Sequence, residues 1–263
     1  MPKFDLIPLT AKRRLGGGCI AVDVRDPEIA AVAKPGQFVM VRATEGVDTI
    51  TPRPLSIFAR VRENGKPTGF TLLVKIIGPG TRAIDERQVG QAISVAGPFG
   101  EGLEPDPGRF HLLVAGGTGI APVAFAAQEL ARAGGSFEIL YGGGGKQDVH
   151  LDELRRAGLE ARSATEDGSL GFKGLVTELL ERRLDDDGGE PLVFACGPWE
   201  MMRRAAAICR ERGIECLCSL ERYMACGFGV CLSCVFRKTT DSSYHTCCQE
   251  GPVVNGLEVD WDA

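Results

Sequence analysis

The feature that most constrains this chain is a change of rhythm at GPFGEGLEPDPG, residues 97–108. Before it, short apolar runs are separated by turns: FDLIPL, CIAVDV, QFVMVRA, LSIFARV, FTLLVKII and QAISVAG. One brief helix is expected among them, over TRAIDER, and Asn64-Gly65 inside ENGKPTG marks a hairpin. Strands spaced this closely, without helices to cover a parallel sheet, predict a small antiparallel barrel. After residue 108 the runs RFHLLVAGG, FEILYGG, LEARSAT and PLVFACG are separated by IAPVAFAAQELARAG, DELRRAG, LVTELLERRL and EMMRRAAAICRERG, which have helical period. Strand–helix alternation predicts parallel βαβ units in an open α/β sheet. From about residue 220 cysteines and turns dominate, in a stretch too short to build its own core and suited to a metal. The expected organisation is a β-barrel over 1–103, an α/β domain over 104–219 and a small C-terminal module over 220–263.

Composition narrows the class of partner. The chain has 263 residues, 44% hydrophobic and 25% charged, which supports more than one core. A net charge of -5 and a pI near 5.4 give no electrostatic reason to bind nucleic acid or an anionic membrane. MPKFDLIPLTAKRR lacks the apolar core of a signal peptide and no apolar run is long enough to span a bilayer, so a cytoplasmic location is expected.

Three glycine-rich or basic turns fall where chains of these classes bind phosphate. VAGGTGIAP (114–122) ends a strand and opens a helix, where glycines admit close approach and free helix N–H groups favour an anion. It lacks the G-x-G-x-x-G pattern, and taken alone it also suits a plain tight connection. FACGP (194–198) ends another strand, and ligands of open α/β sheets bind outside such ends, so the two turns are expected to converge. In RPLS (53–56), Arg53 offers a fixed guanidinium for a pyrophosphate, or is an ordinary surface arginine. KIIGPGT (75–81) ends a strand at a short helix, placing Gly80 and Thr81 in a possible second phosphate nest.

Eight of ten cysteines fall between residues 209 and 248. Cys226-x4-Cys231-x2-Cys234 with a more distant cysteine is the plant-type [2Fe–2S] spacing, in which four thiolates supply two to each iron. Gly227 and Gly229 let the loop wrap a cluster and turn N–H groups towards its sulfurs. Zinc is the competing occupant, although only Cys231-x2-Cys234 forms the usual close hook, and disulfides are a third reading. Spacing leaves the fourth ligand open between Cys247 and Cys248. His245 is a single histidine, whereas a Rieske centre needs two. Cys209, Cys216 and Cys218 read as small buried hydrophobes.

In this order, the motifs resemble the ferredoxin-reductase superfamily over residues 5–220. The likeness implies an antiparallel barrel binding FAD through Arg53, Pro54, Leu55 and Ser56, then Leu73, Val74, Lys75, Gly80 and Thr81. It implies a nicotinamide nucleotide at Gly116, Gly117, Thr118 and Gly119, with Cys196, Gly197 and Pro198 near its ring. Pro54-Leu55 replaces the aromatic that many relatives stack on the flavin, so stacking is expected from elsewhere. YGGGGKQD has glycine at 144 where relatives commonly place an arginine, and Glu166 and Asp167 follow, which favours NAD over NADP.

The tail sharpens this. SLERYMACGFGVCLSCV followed by CQEGPVV resembles the electron-transfer subunits of NAD-dependent bacterial dihydroorotate dehydrogenase, an oxidoreductase component of pyrimidine biosynthesis. The family's Cys-x-Asp-Gly-Pro corresponds to Cys248-Gln249-Glu250-Gly251-Pro252, with Glu for Asp, and that likeness selects Cys248 beside Cys226, Cys231 and Cys234. It implies electron flow from an FMN-containing catalytic partner through the cluster and FAD to NAD+, in a heterotetramer of two copies of each chain. No residue is expected to act as an acid or base; Ser56 and Cys196 are expected to position the redox site. The rivals are a reductase subunit of a sulfide dehydrogenase, hydrogenase or oxygenase, and a zinc-stabilised nucleotide sensor without redox chemistry.

Overall fold

The computed structural model describes residues 3–43, 51–187, 190–241 and 243–263. Strands β1 (Lys3–Arg14), β2 (Cys19–Val24), β3 (Phe38–Ala43), β4 (Arg53–Glu63), β5 (Lys66–Lys75) and β6 (Ala92–Phe99) close an antiparallel barrel in the order β1-β2-β5-β4-β3-β6. Alternate residues point inward: Ile20, Val22 and Val24 meet Val39, Val41, Phe70, Leu72 and Val74 in one buried cluster. Each such side chain contributes about 1.5–3 kcal/mol by leaving water. Asn64 and Gly65 both have positive φ, 50° and 79°, so the hairpin joining β4 and β5 has the two-residue form whose twist suits the strands.

The barrel wall has an opening. The β4–β5 ladder runs from Glu63↔Lys66 only as far as Ile57↔Leu72. Beyond Ile57, β4 pairs with β3 instead, with Ser56 opposite Phe38 and Arg53 opposite Val41. Leu73, Val74 and Lys75 remain paired with β2 on one side. The Arg53–Ser56 segment therefore splays from the end of β5.

Among the described residues two helices, rather than the one expected from sequence, interrupt the barrel. Helix α1 (Pro27–Val32) starts at Asp26, whose Oδ1 accepts the Ile29 N–H at 2.9 Å, with proline in the first turn. Its six residues are too few to show a helical period. Helix α2 (Pro79–Glu86) begins two residues earlier than TRAIDER.

The second half contains β7 (His111–Gly116), α3 (Ile120–Ala133), β8 (Phe137–Gly143), α4 (Leu151–Arg156), β9 (Arg162–Thr165), β10 (Phe172–Lys173), α5 (Val176–Asp187), β11 (Leu192–Cys196), α6 (Trp199–Arg212) and β12 (Cys216–Ser219). The C-terminal segment adds β13 (Val235–Arg237), β14 (Tyr244–Thr246), α7 (Cys247–Glu250) and β15 (Val253–Asn255). The sheet order is β10-β9-β8-β7-β11-β12-β15. Its strands are parallel except β15, which pairs antiparallel with β12. The C-terminal segment thus borrows the α/β core: Cys234, Phe236, Cys247 and Cys248 belong to the cluster that holds Val193 and Ala205. Barrel and sheet share apolar packing too, since Phe125 of α3 enters the barrel cluster while Phe58 and Leu73 join the cluster beneath α3. No helix among the described residues is long and apolar enough to cross a membrane.

Candidate redox site

The two basic and glycine-rich signals of the barrel come together. A Cβ added at Gly80 would stand 2.8 Å from Arg53 Nε and 3.0 Å from its Nη2, so glycine at the start of α2 makes room for the guanidinium. Arg53 Nη1 is held by the Thr51 carbonyl at 3.0 Å and the Thr51 hydroxyl at 2.8 Å. Thr81 spends its hydroxyl locally: it accepts the N–H groups of Ile77 and Gly78 at 3.0 and 3.1 Å and donates to the Gly78 carbonyl. What Gly80 and Thr81 can offer a ligand is their first-turn backbone N–H groups, which have no acceptor within the helix. Pro54, Leu55 and Ser56 are half-exposed along the opening. Leu73 and Val74 are buried on its other side and Lys75 is exposed.

The nucleotide turns also meet. Gly117 has φ +54°, in the left-handed region that favours glycine, and lies within the tight turn Gly117–Gly119 before α3. A Cβ at Gly119 would stand 2.5 Å from the carbonyl carbon of Cys196 and 2.7 Å from Gly197 N, and one at Gly116 would stand 2.8 Å from Pro198 Cδ. Two strand ends thus pack backbone against backbone, as their sequences predict. Tyr141, buried at the end of β8, fastens the turn: its hydroxyl donates to the Gly117 carbonyl at 3.0 Å and accepts the His150 N–H at 3.3 Å. Thr118 stands half-exposed between its glycine neighbours. Burial pushes the Cys196 thiol up to about 12, with the Glu221 carboxylate adding to the shift, so it stays neutral. After β8, Gly145 lies under the Asp167 carboxylate, to whose Oδ2 an added Cβ would come within 2.6 Å.

All ten cysteines are free thiols, and those of the C-terminal loop form two interacting pairs. The Cys231 N–H donates to Cys226 Sγ at 3.4 Å. The Ser233 hydroxyl, 3.1 Å from Cys231 Sγ, leads the effects that pull that exposed thiol down to about 6. Cys248 is pushed up to about 12 by burial, then by its hydrogen bond with Cys234; the Gly229 N–H opposes the rise, and the charge of Cys226 adds to it. Cys247, the alternative fourth ligand, is buried, with its sulfur 3.4 Å from the Leu220 carbonyl. Thiols with backbone N–H groups beside them are the donor type of a two-iron cluster, although among the described residues no three of these side chains are gathered closely enough to hold a metal ion. Gly227 and Gly229 have φ of +83° and +86°, conformations that L side chains rarely adopt.

The cysteine loop sits on the barrel beside the Arg53 segment. A Cβ at Gly227 would stand 2.5 Å from Met40 Cγ, and Met40 is the β3 partner of Pro54. Phe228 stacks at 6.2 Å on Phe99, which lies 5.9 Å from Phe38, the partner of Ser56. Met40, Phe99, Phe228, Tyr141 and Glu221 were not singled out from sequence. Each lies in a stretch quoted above, but none carries a local sign of its contacts.

Comparison with known proteins agrees with this arrangement. The family described as the iron-sulfur cluster binding domain of dihydroorotate dehydrogenase B matches residues 221–260, and the oxidoreductase NAD-binding domain matches residues 113–207. The dihydroorotate dehydrogenase B (NAD(+)) electron transfer subunit of Desulforamulus reducens is 36% identical, covering 90% of each chain. That of Clostridium perfringens is 34% identical, covering 89% of this chain and 90% of its own. Among solved structures, the NADH-dependent reduced ferredoxin-NADP oxidoreductase superposes with a TM-score of 0.85 at 28% identity, covering 100% of this chain and 92% of that one. The ferredoxin reductase of carbazole 1,9a-dioxygenase shares the fold, with a TM-score of 0.68 at 21% identity over 81% of this chain and 67% of its own. With these motifs, this barrel-and-sheet fold and relatives of such coverage, the chain belongs to the family of dihydroorotate dehydrogenase B (NAD(+)) electron transfer subunits.

Proposed function

We propose that this chain passes electrons between a dihydroorotate-oxidising partner subunit and NAD+, holding a [2Fe–2S] cluster on Cys226, Cys231, Cys234 and Cys248 and FAD in the barrel opening. The observation that carries the reading is the seating of the cysteine loop: Gly227 lies on Met40, directly across the strand pair from Pro54. The functional units are 1–103 for flavin, 104–219 for nucleotide and 220–263 for the cluster. When bound, nicotinamide supplies two-electron hydride chemistry, the cluster one-electron exchange, and flavin both.

The residues align and insulate rather than move protons. Arg53 and the first amides of α2 would hold the flavin's phosphates, and Pro54, Leu55, Ser56, Leu73, Val74 and Lys75 would line the rest of its site. Gly116, Gly117, Thr118 and Gly119 take the nucleotide's pyrophosphate, while Cys196, Gly197 and Pro198 shape the nicotinamide pocket. A neutral Cys196 thiol suits hydride transfer, which needs alignment and a dry pocket. The Asp167 carboxylate over Gly145 repels a 2′-phosphate and so supports NAD.

Cys231 is exposed, and beside it Tyr223, Val230 and Leu232 expose apolar or aromatic side chains. This face suits an FMN-containing catalytic partner, in an assembly of two copies of each chain. Native mass spectrometry of the reconstituted complex checks that stoichiometry.

The functional test is to mix the iron- and FAD-loaded protein with a dihydroorotate-oxidising flavoprotein and follow NAD+ reduction. Coupled NADH formation is expected; its absence with both cofactors present overturns the assignment. A reductase subunit of another iron–sulfur system is the second reading, favoured by the full-length likeness to the ferredoxin-NADP oxidoreductase. NADPH-linked activity without dihydroorotate coupling would select it.

A further inference from the structure

A cavity of about 560 Å³ lies between the outer face of β4–β5 and helices α3 and α4. It stands apart from the redox site. Arg60 and Arg62 line it from the far half of β4, about 13 and about 20 Å along the strand from Ser56. Gln128, Glu129 and Arg132 line it from the second half of α3, about 12 to 18 Å along the axis from the nucleotide turn at that helix's start. Its floor is apolar, with Phe58, Val61 and Leu159, and its walls are charged.

The charges do not balance. Five arginines line the cavity against three carboxylates, leaving two positive charges in excess. Arg13 binds Asp23 at 2.8 Å and also Glu153, beside which Arg156 lies at 3.8 Å, so that end is matched. At the other end Arg60, Arg62 and Arg132 surround the single carboxylate of Glu129, which pairs with Arg60 at 2.9 Å and Arg132 at 3.7 Å. The side chain of Arg60 is only 8% exposed, and its Nε is buried without a hydrogen-bond partner. Arg62 donates to the Gly65 carbonyl at 3.0 Å and has no carboxylate partner among the described residues. Burial and then the charges of Arg132 and Arg60 hold the Arg62 pKa below its usual value, which reports a positive field at that corner.

The geometry points to a binding site here for a phosphate monoester of nucleotide size. Two surplus charges match a dianion, and guanidinium forks match phosphate oxygens. The volume and apolar floor accommodate an attached organic group, which free phosphate lacks. A ligand gripping Arg62 of the barrel and Arg132 of α3 ties together the two elements whose other ends bear the flavin and nucleotide motifs, and so fixes the angle between the domains.

The test uses the protein loaded with FAD and iron, with NAD+ saturating so that the redox cleft is filled. Binding of adenosine and uridine 5′-monophosphate, inorganic phosphate and the unphosphorylated nucleosides is measured by calorimetry and thermal shift. The monophosphates should bind and raise Tm, inorganic phosphate should bind about tenfold more weakly, and the nucleosides should not bind. Arg62→Gln and Arg132→Gln should each weaken monophosphate binding about tenfold, leaving FAD content and NADH-driven dye reduction unchanged. Absence of monophosphate binding, or binding that neither substitution weakens, overturns the site. Inorganic phosphate binding as tightly as the esters overturns the nucleotide-sized ligand.

Discussion

Gly119→Ala tests whether the meeting of two glycine turns sets nicotinamide geometry. Gly119 has φ of -60°, which alanine adopts freely, so any effect comes from the added carbon and not from backbone strain. That carbon would stand 2.5 Å from the Cys196 carbonyl carbon, whereas carbon–carbon contact needs about 3.5 Å, so the turns must part by about 1 Å. Both are backbone, and no side chain can rotate away. Overpacking of this kind costs about 1–3 kcal/mol, a fall of a few degrees in Tm for a chain this size. A 1 Å misplacement of reacting groups can cost about 100-fold in rate. NADH-driven dye reduction should therefore fall by about that factor, with FAD and iron contents unchanged. Gly108→Ala is the control, an exposed loop site where the nearest atom to an added Cβ is a side-chain oxygen of Asp106 at 3.2 Å. Reduction by NADH within about threefold of the parent, in a Gly119→Ala protein that retains FAD, would show that the turn spacing does not govern hydride alignment.

Other perturbations separate the remaining parts. Cys231→Ser should retain FAD and NADH-driven dye reduction but lose electron exchange with the partner; undiminished coupled transfer would refute the relay. Arg53→Ala should weaken FAD retention about 10- to 100-fold, the worth of a charged hydrogen bond, as read by flavin occupancy after dialysis. His245 lies 2.7 Å from Glu250 and 3.1 Å from Asp241; Glu250 first, then Asp241, raises its pKa above 6.5. A raised folded-state pKa gives stability that is complete below about pH 6.5 and lost as pH climbs through the raised value. Hydrogen exchange across β13 and β14 should accordingly speed up as pH rises above about 6.5, beyond the intrinsic base catalysis, and this excess should vanish in His245→Gln.

Local chemistry was readable and non-local contact was not. Short apolar runs between closely spaced turns, with Asn64-Gly65 at one of them, disclosed the barrel because run length and turn chemistry are properties of neighbours in sequence. The glycines at 119 and 197 disclosed a crevice because strand ends in such sheets converge. Helix α1 escaped notice despite Asp26-Pro27, since six residues are too short for periodicity. Strand β15 is three residues, VVN, and only its pairing with β12 makes it part of the sheet. The run from Phe228 through Phe99 to Phe38 joins three distant segments, and nothing in any one of them announces the other two. At Thr81 the residue type suggested a ligand donor, whereas its hydroxyl serves the turn that precedes it.

The unequal exposure of the four sulfurs has a consequence for handling and survival. Cys234 and Cys248 are walled in, while Cys231 stands at the rim among side chains that water wets poorly. One corner of an iron centre built there meets dissolved oxygen whenever the docking face is bare. If the companion subunit docks there as proposed, it is a shield as well as a redox partner, and iron loss in air should be faster for the lone chain than for the assembled pair, as a colorimetric iron-release assay would record.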